Sequence, residues 1–119
     1  MRRIGEVSAL FADAGLVAIT SFISPYRTSR DKAREIHAKR NLPFIEVFAH
    51  VPLEVAESRD PKGLYKKARS GQLKNFTGID DPYEEPLHPE VLLHTHQLSV
   101  EQSCDKLVEE LKKRGIIKV

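Results

Sequence analysis

Apolar side chains near the N-terminus recur at the spacing of an amphipathic helix. Ile4, Val7, Leu10 and Phe11 lie three or four positions apart, and Gly15 follows them. A glycine at that place is typical of a helix that ends in a left-handed turn. The pattern predicts a first helix that ends just before Gly15.

Three short apolar runs further along the chain have the composition of buried strands. They are rich in β-branched or aromatic residues and cover 16–22 (LVAITSF), 44–49 (FIEVFA) and 91–94 (VLLH). Strands that alternate with helices are joined by right-handed crossovers and form mostly parallel sheets. The expected fold is therefore α/β, with a doubly wound parallel sheet in one domain that covers residues 1–119.

Helical patterns lie between these runs. Thr28, with Asp31 three residues later, resembles a helix start and predicts a helix that runs to Arg40. Two shorter helices are expected over 52–58 and 64–70, with Pro52 in the first position of the former. In the helix from Thr28, the side chains expected on one face are Ala33, Ile36 and His37.

The last helix has the clearest start signal in the chain. Ser99 and Gln102 have the spacing of a capping box, and Gly115 marks the end. The residues expected to point inward from this helix are Val100, Cys104, Leu107, Val108 and Leu111.

Composition narrows the class of protein. The chain is 40% hydrophobic and 30% charged and contains no long apolar run, which argues against a membrane span. The N-terminus lacks the continuous apolar centre of a secretory signal, and Cys104 is the only cysteine, so no internal disulfide can form. A cytoplasmic location is expected. The net charge of +2 does not by itself indicate nucleic-acid binding.

Two segments could carry chemistry at the ligand edge of the sheet, beyond the carboxyl ends of the strands. Ser24 follows the first predicted strand and could bind an anion or act as a nucleophile, although a plain turn is the commoner use of such a sequence. Residues 59–74 carry one acid, Asp60, against six basic residues. These are Arg59, Lys62, Lys66, Lys67, Arg69 and Lys74. A mobile cationic lid for phosphoryl transfer and a solvated helix face both fit this charge.

Aromatic and metal-binding signals are weaker. Phe76 lies in a predicted loop, where a flat ring can stack on a nucleotide base or fill a core. The chain has five histidines, with His94 and His96 separated by one residue, but no cysteine pair or third ligand at zinc spacing accompanies them. The acidic residues between 80 and 90 suit a solvated loop. The sequence predicts no metal site.

Five ordered blocks of the sequence resemble the adenylyl-sulfate kinase family. They are FADAGL (11–16), SFISPYR (21–27), PLEV (52–55), RDPKGLYKKAR (59–69) and NFTGIDDPYE (75–84). One of these blocks is eleven residues long, and their common order leaves little room for coincidence. The resemblance extends over essentially the whole chain and implies a P-loop kinase-like sheet.

The resemblance implies transfer of the γ-phosphoryl group of ATP, with Mg²⁺, to the 3′-hydroxyl of adenosine 5′-phosphosulfate. The product would be 3′-phosphoadenylyl sulfate, in sulfate assimilation. The resemblance implies a catalytic position for Ser24, where a phosphoserine is often described, although in-line transfer requires no covalent step. The implied substrate contacts are Ile23, Ser24, Lys62, Asn75 and Phe76, and the implied lid or ATP contacts are Arg59, Lys66, Arg69 and Leu98.

The sequence departs from the family in three places. Family members usually have aspartates where this chain has His50 and His96, which changes the local charge. The family also has a glycine-rich phosphate loop, G-x-x-G-x-G-K-[ST], ahead of the matching region, and no such motif occurs in the 119 residues. In the family's sheet, the strand that ends in this loop lies between the strands that match 16–22 and 44–49.

The third departure leads to expectations about the isolated chain. Without the phosphate loop, the isolated chain should lack kinase activity. It should also be marginally stable, unless a second copy or an N-terminal segment fills the place of the missing strand in the sheet. The leading hypothesis is a partial adenylyl-sulfate kinase, and the alternative is a non-catalytic adenylyl-sulfate-binding or regulatory module. Nucleic-acid binding is disfavoured because Tyr65 is the only aromatic residue within the basic segment.

Overall fold

A computed structural model describes residues 1–118 of the chain. The helices and strands in this range are α1 (Arg2–Asp13), α2 (Arg27–Ala38), β1 (Val47–His50), α3 (Leu53–Arg59), α4 (Leu64–Arg69), β2 (Val91–His94) and α5 (Val100–Lys113). The chain divides into two compact units. The first unit contains residues 1–44 and 83–86, and the second contains residues 45–82 and the chain from 87 onward.

The first unit is built on the packing of α1 against α2. A Cβ atom at Gly5 would lie 3.2 Å from Cδ1 of Ile36 and 3.5 Å from Cα of Ala33, so the two helices approach closely at this glycine and a larger residue would have to displace the end of the Ile36 side chain. Ala9 and Ala33 are buried in the interface. Small residues thus set the distance between the helices.

A buried polar pair completes this interface. Nδ1 of His37 lies 2.8 Å from the carbonyl oxygen of Ala33, and because a carbonyl only accepts, Nδ1 carries the proton. The Ser8 hydroxyl donates to the carbonyl oxygen of Gly5 at 3.0 Å. Nε2 of His37 lies 3.1 Å from the same hydroxyl oxygen. Both buried side chains are therefore hydrogen-bonded.

The start of α2 differs from the prediction. The helix begins at Arg27, with Tyr26 as N-cap, and no side chain of the cap residue bonds to it, so the predicted start at Thr28 and Asp31 is wrong. The backbone N–H of Arg27 instead donates to the carboxylate of Glu84 at 3.0 Å. A carboxylate from a distant part of the chain thus does the work of a local cap.

The predicted strand over residues 16–22 is absent from the structure. The segment has no regular secondary structure and pairs with no strand in the part of the chain that the structure describes. Leu16, Val17 and Phe22 are about half exposed, and Ile19 is 86% exposed. An extended apolar segment becomes a strand only where a neighbour accepts and donates its backbone hydrogen bonds.

The second unit contains the parallel pair β1 and β2, in which Val47 is opposite Val91 and His50 is opposite His94. β2 has the predicted bounds, but β1 begins at Val47 rather than at the predicted Phe44. The backbone N–H of the residue before β1, Glu46, donates to the carboxylate of Glu90 at 2.8 Å. Val47 is opposite Val91, the first residue of β2. The described residues before Val47 therefore have no residue of β2 to pair with, and β1 is shorter than predicted.

The helices of the second unit follow the predicted order with small shifts. Pro52 is the N-cap of α3 rather than its first residue. The capping box at α5 is confirmed, because the Ser99 hydroxyl accepts from the N–H of Gln102 at 3.1 Å and the Gln102 side chain accepts from the N–H of Ser99 at 2.8 Å.

The predicted inward face of α5 is wrong for three of its five residues. Val100 is 81% exposed, Cys104 is exposed, and Val108 is 38% exposed. Leu107 and Leu111 are half-buried. The helix packs chiefly against β2, and a two-stranded sheet is too narrow to cover the whole apolar stripe. None of the described helices is both long and apolar enough to cross a membrane.

Candidate functional site

The turn after the segment 16–22 of the first unit has an unusual backbone. Ser24 is left-handed, with φ of +38°, although it carries a side chain. Its hydroxyl donates to the carbonyl oxygen of Phe22 at 3.3 Å. Ile23, its neighbour, is 66% exposed. Both predicted contact residues of this turn are thus available to a ligand, and Ser24 is held in a conformation that few non-glycine residues adopt.

A buried arginine holds this turn, and sequence reasoning missed it. Arg30 is only 7% exposed. Its guanidinium donates to the carbonyl oxygen of Ser24 at 2.5 Å and to that of Glu84, and lies 5.7 Å from the centre of the Tyr83 ring. A charged residue at a helical position within a basic segment gives no sequence sign of burial.

The cationic segment of the second unit is organised by its one acid. The carboxylate of Asp60 accepts from the backbone N–H groups of Tyr65 and Lys66, both at 3.1 Å. These are donors of the first turn of α4, which have no partner within the helix. Asp60 therefore fixes the start of α4 and closes the turn that carries Lys62, whose side chain is exposed.

The two predicted lid arginines make different contacts. Arg69 bonds to both carboxylate oxygens of Glu57, at 2.5 and 3.2 Å. This hydrogen bond, with the charge of Arg69, lowers the pKa of the Glu57 carboxyl and raises the pKa of Arg69. Arg59 donates to the carbonyl oxygen of Thr95 at 3.3 Å. Lys66, the third predicted lid residue, has an exposed side chain.

The loop 75–81 contacts α4 through an aromatic pair. The ring of Phe76 meets that of Tyr65 edge to face, with centroids 4.9 Å apart and planes at 74°. Asn75, beside it, is exposed and left-handed, with φ of +56°. The structure thus brings the predicted adenine-contacting residues next to the predicted lid helix. The sequence does not indicate this contact of Tyr65, because its partner lies eleven residues away.

A cluster of histidines lies at the carboxyl ends of β1 and β2. The ring centroids of His50, His94 and His96 are 5.6 to 6.2 Å apart, and each pair meets edge to face. The backbone N–H and the hydroxyl of Thr95 both donate to the carbonyl oxygen of His50, at 3.0 and 3.1 Å. Leu98, the predicted ATP contact, follows in the same turn and is half-buried.

The histidine cluster does not form a metal centre in this conformation. Among residues 1–118, no group of three or more histidine, cysteine, aspartate or glutamate side chains is arranged to hold a metal ion. Nδ1 of His96 is buried without a hydrogen-bond partner. His50 and His96, the two positions where the resemblance leads us to expect aspartates, are neighbours in space, with ring centroids 6.2 Å apart.

The family model and the curated relatives that match this chain belong to the same family. The family model described as Adenylylsulphate kinase matches residues 1–94. The adenylyl-sulfate kinases of Saccharomyces cerevisiae and Penicillium chrysogenum are 58% and 51% identical to this chain, over 99% and 98% of its length. The chain spans 58% of the length of each of these relatives.

A solved structure agrees with these sequence relationships. The APS kinase of Mycobacterium tuberculosis, in complex with AMPPNP and APS, matches with a TM-score of 0.90 and 40% identity. The match covers 93% of this chain and 64% of that one. The predicted fold class, an α/β fold of the P-loop kinase-like type with a parallel sheet, is confirmed by this likeness. By sequence and by fold, the chain belongs to the adenylyl-sulfate kinase family.

Proposed function

We propose that this chain provides the adenylyl-sulfate-binding part of an adenylyl-sulfate kinase. The observation that carries the proposal is the contact between Phe76 and Tyr65, which holds an aromatic ring beside the cationic helix α4. A flat ring next to basic side chains suits a nucleotide that carries a sulfate and a phosphate. The Mycobacterium tuberculosis relative, which is bound to AMPPNP and APS, supports this choice of ligand.

In the proposed reaction, the 3′-oxygen of adenosine 5′-phosphosulfate forms a bond to the γ-phosphorus of ATP. The bond from that phosphorus to its bridging oxygen breaks, ADP leaves, and the hydroxyl proton is released. Asn75 and Phe76 hold the adenine, and Lys62 contacts the substrate. Arg59, Lys66, Arg69 and Leu98 serve the ATP side. The basic side chains stabilise the charge that spreads over the phosphoryl oxygens.

Ser24 and Ile23 form the substrate-contacting turn of the first unit in this proposal. The Ser24 hydroxyl donates to a carbonyl oxygen, and no base among its described hydrogen-bond partners could take its proton. A hydroxyl without a base is a poor nucleophile. We therefore assign Ser24 a hydrogen-bonding role toward the substrate rather than a covalent one.

We further propose that the 119-residue chain does not turn over ATP by itself. The sequence contains no phosphate loop, and within the described residues no side-chain group fits a resident metal ion, so no step is assigned to Mg²⁺. We propose a cytoplasmic location, in keeping with the single cysteine.

Calorimetric titration tests the binding half of the proposal. The wild-type chain should bind adenosine 5′-phosphosulfate. Phe76→Ala should weaken this binding about 5- to 150-fold, because stacking of a base on an aromatic ring contributes about 1–3 kcal/mol. Phe76→Tyr keeps the ring and should retain most of the affinity. A wild-type chain without measurable binding, or a Phe76→Ala variant with unchanged affinity, would contradict the proposal.

Measurement of ADP production tests the other half. The chain alone should release no ADP from ATP and adenosine 5′-phosphosulfate, and release above background would refute this. Joining the chain to the part of the Saccharomyces cerevisiae relative that it does not match should give an active enzyme. A chimera that binds adenosine 5′-phosphosulfate but stays inactive would favour the binding or regulatory module instead.

A further inference from the structure

The backbone of Ser24 requires support from its surroundings. A non-glycine residue at φ of +38° is strained, at a cost of order 1–3 kcal/mol, and such a conformation persists only where neighbouring groups hold it. The hydrogen bond from the Ser24 hydroxyl to Phe22 is local and long, at 3.3 Å, so it supplies little of this support. The stronger restraint comes from Arg30.

Arg30 is suited to hold a backbone turn. A buried guanidinium must be hydrogen-bonded, and its rigid fork can donate to two acceptors at fixed angles. One branch donates to the carbonyl oxygen of Ser24 and the other to that of Glu84, while the ring of Tyr83 lies 5.7 Å away. The guanidinium thus joins the turn at Ser24 to the segment 83–86 within one compact unit.

The segment 83–86 is itself hydrogen-bonded to the residues that follow Ser24. The N–H of Glu84 donates to the carbonyl oxygen of Pro25 at 2.8 Å, and its carboxylate accepts from the N–H of Arg27 at 3.0 Å. The side chain of Arg27 donates to the carbonyl oxygen of Glu85 at 2.7 Å. Arg30 therefore connects the backbone of Ser24 to a segment that is itself held in place by hydrogen bonds.

We propose that Arg30 is a positioning residue for the substrate: it holds Ser24 in the left-handed conformation that places Ile23 and the Ser24 hydroxyl for contact with the sulfonucleotide. Arg30 does not touch the substrate itself. This inference rests on the proposed function, since it needs Ile23 and Ser24 as substrate contacts. It adds Arg30, in the first turn of α2, as a residue that fixes the geometry of the binding turn without contacting the substrate.

The test measures two quantities on the full chain. The first is the affinity for adenosine 5′-phosphosulfate by calorimetry. The second is the three-bond coupling between the amide and α protons of Ser24 by NMR without ligand, which reports φ directly. Arg30→Lys keeps the charge but cannot donate to both carbonyls in the same fork. It should change the Ser24 coupling and weaken binding at least 10-fold.

Arg34→Lys is the matched control. Arg34 lies one turn further along α2, and its guanidinium lies 4.9 Å from the centre of the Phe44 ring. Its replacement removes an arginine from the same helix without touching Ser24. It should leave both the Ser24 coupling and the affinity within twofold of wild type. A general loss of packing in α2 would affect the two variants alike, and that result would overturn the proposal.

A double-substitution cycle sharpens the mechanism. Glycine adopts a left-handed backbone without strain, so in a Ser24→Gly background the turn no longer depends on Arg30. Arg30→Lys should then cost less than threefold in affinity. The same 10-fold loss in both backgrounds would refute the positioning role.

Two further outcomes remain distinguishable. If Arg30→Lys fails to fold, Tyr83→Leu takes its place, because it removes the ring beside the guanidinium. This variant should shift the Ser24 coupling and weaken binding a few-fold. No change in either quantity would refute the inference. A wild-type chain that binds no adenosine 5′-phosphosulfate contradicts the proposed function. A wild-type chain that binds, together with an Arg30→Lys variant that binds equally well, contradicts only the role of Arg30.

Discussion

At the scale of single residues, the ion pair between Glu57 and Arg69 should make stability depend on pH in acid. Arg69 lowers the pKa of the Glu57 carboxyl below its ordinary value of 4.5. A lowered pKa in the folded state gives stability that is present above the unfolded pKa and lost as the pH falls through the folded one. Arg69 stays charged throughout this range, because its own pKa is raised.

The prediction compares thermal melts of wild type and Glu57→Gln. At neutral pH the variant should melt at a slightly lower temperature, since exposed pairs contribute little. The difference should shrink as the pH falls through the folded-state pKa of Glu57, which lies below 4.5, and vanish once the carboxyl is protonated and both forms are uncharged at this position. Glu109→Gln removes the same charge from an exposed site on α5 that has no described ion pair, and it should show no such convergence. A difference that persists in acid would contradict the prediction.

At the scale of secondary-structure elements, the capping box should contribute measurably to α5. Ser99→Ala removes the hydroxyl that accepts from the N–H of Gln102, and loss of such a cap costs about 1 kcal/mol. Denaturant unfolding followed by circular dichroism should show this loss. Ser103→Ala, within the same helix, removes a serine hydroxyl where alanine is the better helix former, and should stabilise by up to roughly 0.5 kcal/mol. Equal effects of the two substitutions would contradict a capping role for Ser99.

The elements that the sequence predicted well are those set by neighbouring residues. The cap at Ser99 depends on a residue three positions away, and the end of α1 on Gly15, so both could be recognised in the sequence. The strand over 16–22 was wrong because a strand also needs a partner, which local composition does not specify. The start of α2 was misplaced for the same reason, since Glu84, 57 residues away, supplies its cap.

In the candidate site too, the residue types could be recognised in the sequence, whereas the contacts with distant residues could not. The basic residues of 59–74 and the ring of Phe76 were recognised from their types, and their roles remain predictions. The contacts that arrange them could not be recognised, because Arg69 meets an acid twelve residues away and Arg30 meets a carbonyl 54 residues away. Backbone carbonyls as partners leave no mark on the sequence at all.

At the scale of the whole molecule, the balance of buried and exposed apolar surface indicates marginal stability. The described core consists of Ala9, Ala33, Ala68, Val91 and Leu93, and no large side chain is fully buried. Burial of a large apolar side chain contributes about 1.5–3 kcal/mol, so a core made mostly of alanine contributes little. Several large apolar side chains of the unpaired segment 16–22 are instead exposed, and such a segment is open to pairing with another chain.

We therefore predict that the isolated chain self-associates through the segment 16–22. Light scattering during a thermal ramp should rise with protein concentration, and Ile19→Lys, at an 86% exposed position, should reduce the scattering strongly without lowering the melting temperature. A lysine on an exposed strand edge disfavours pairing with a second copy. Leu87→Lys adds the same charge at a 70% exposed position in a loop and should have a much smaller effect. Equal protection by both variants would mean that net charge, rather than the open segment, controls association.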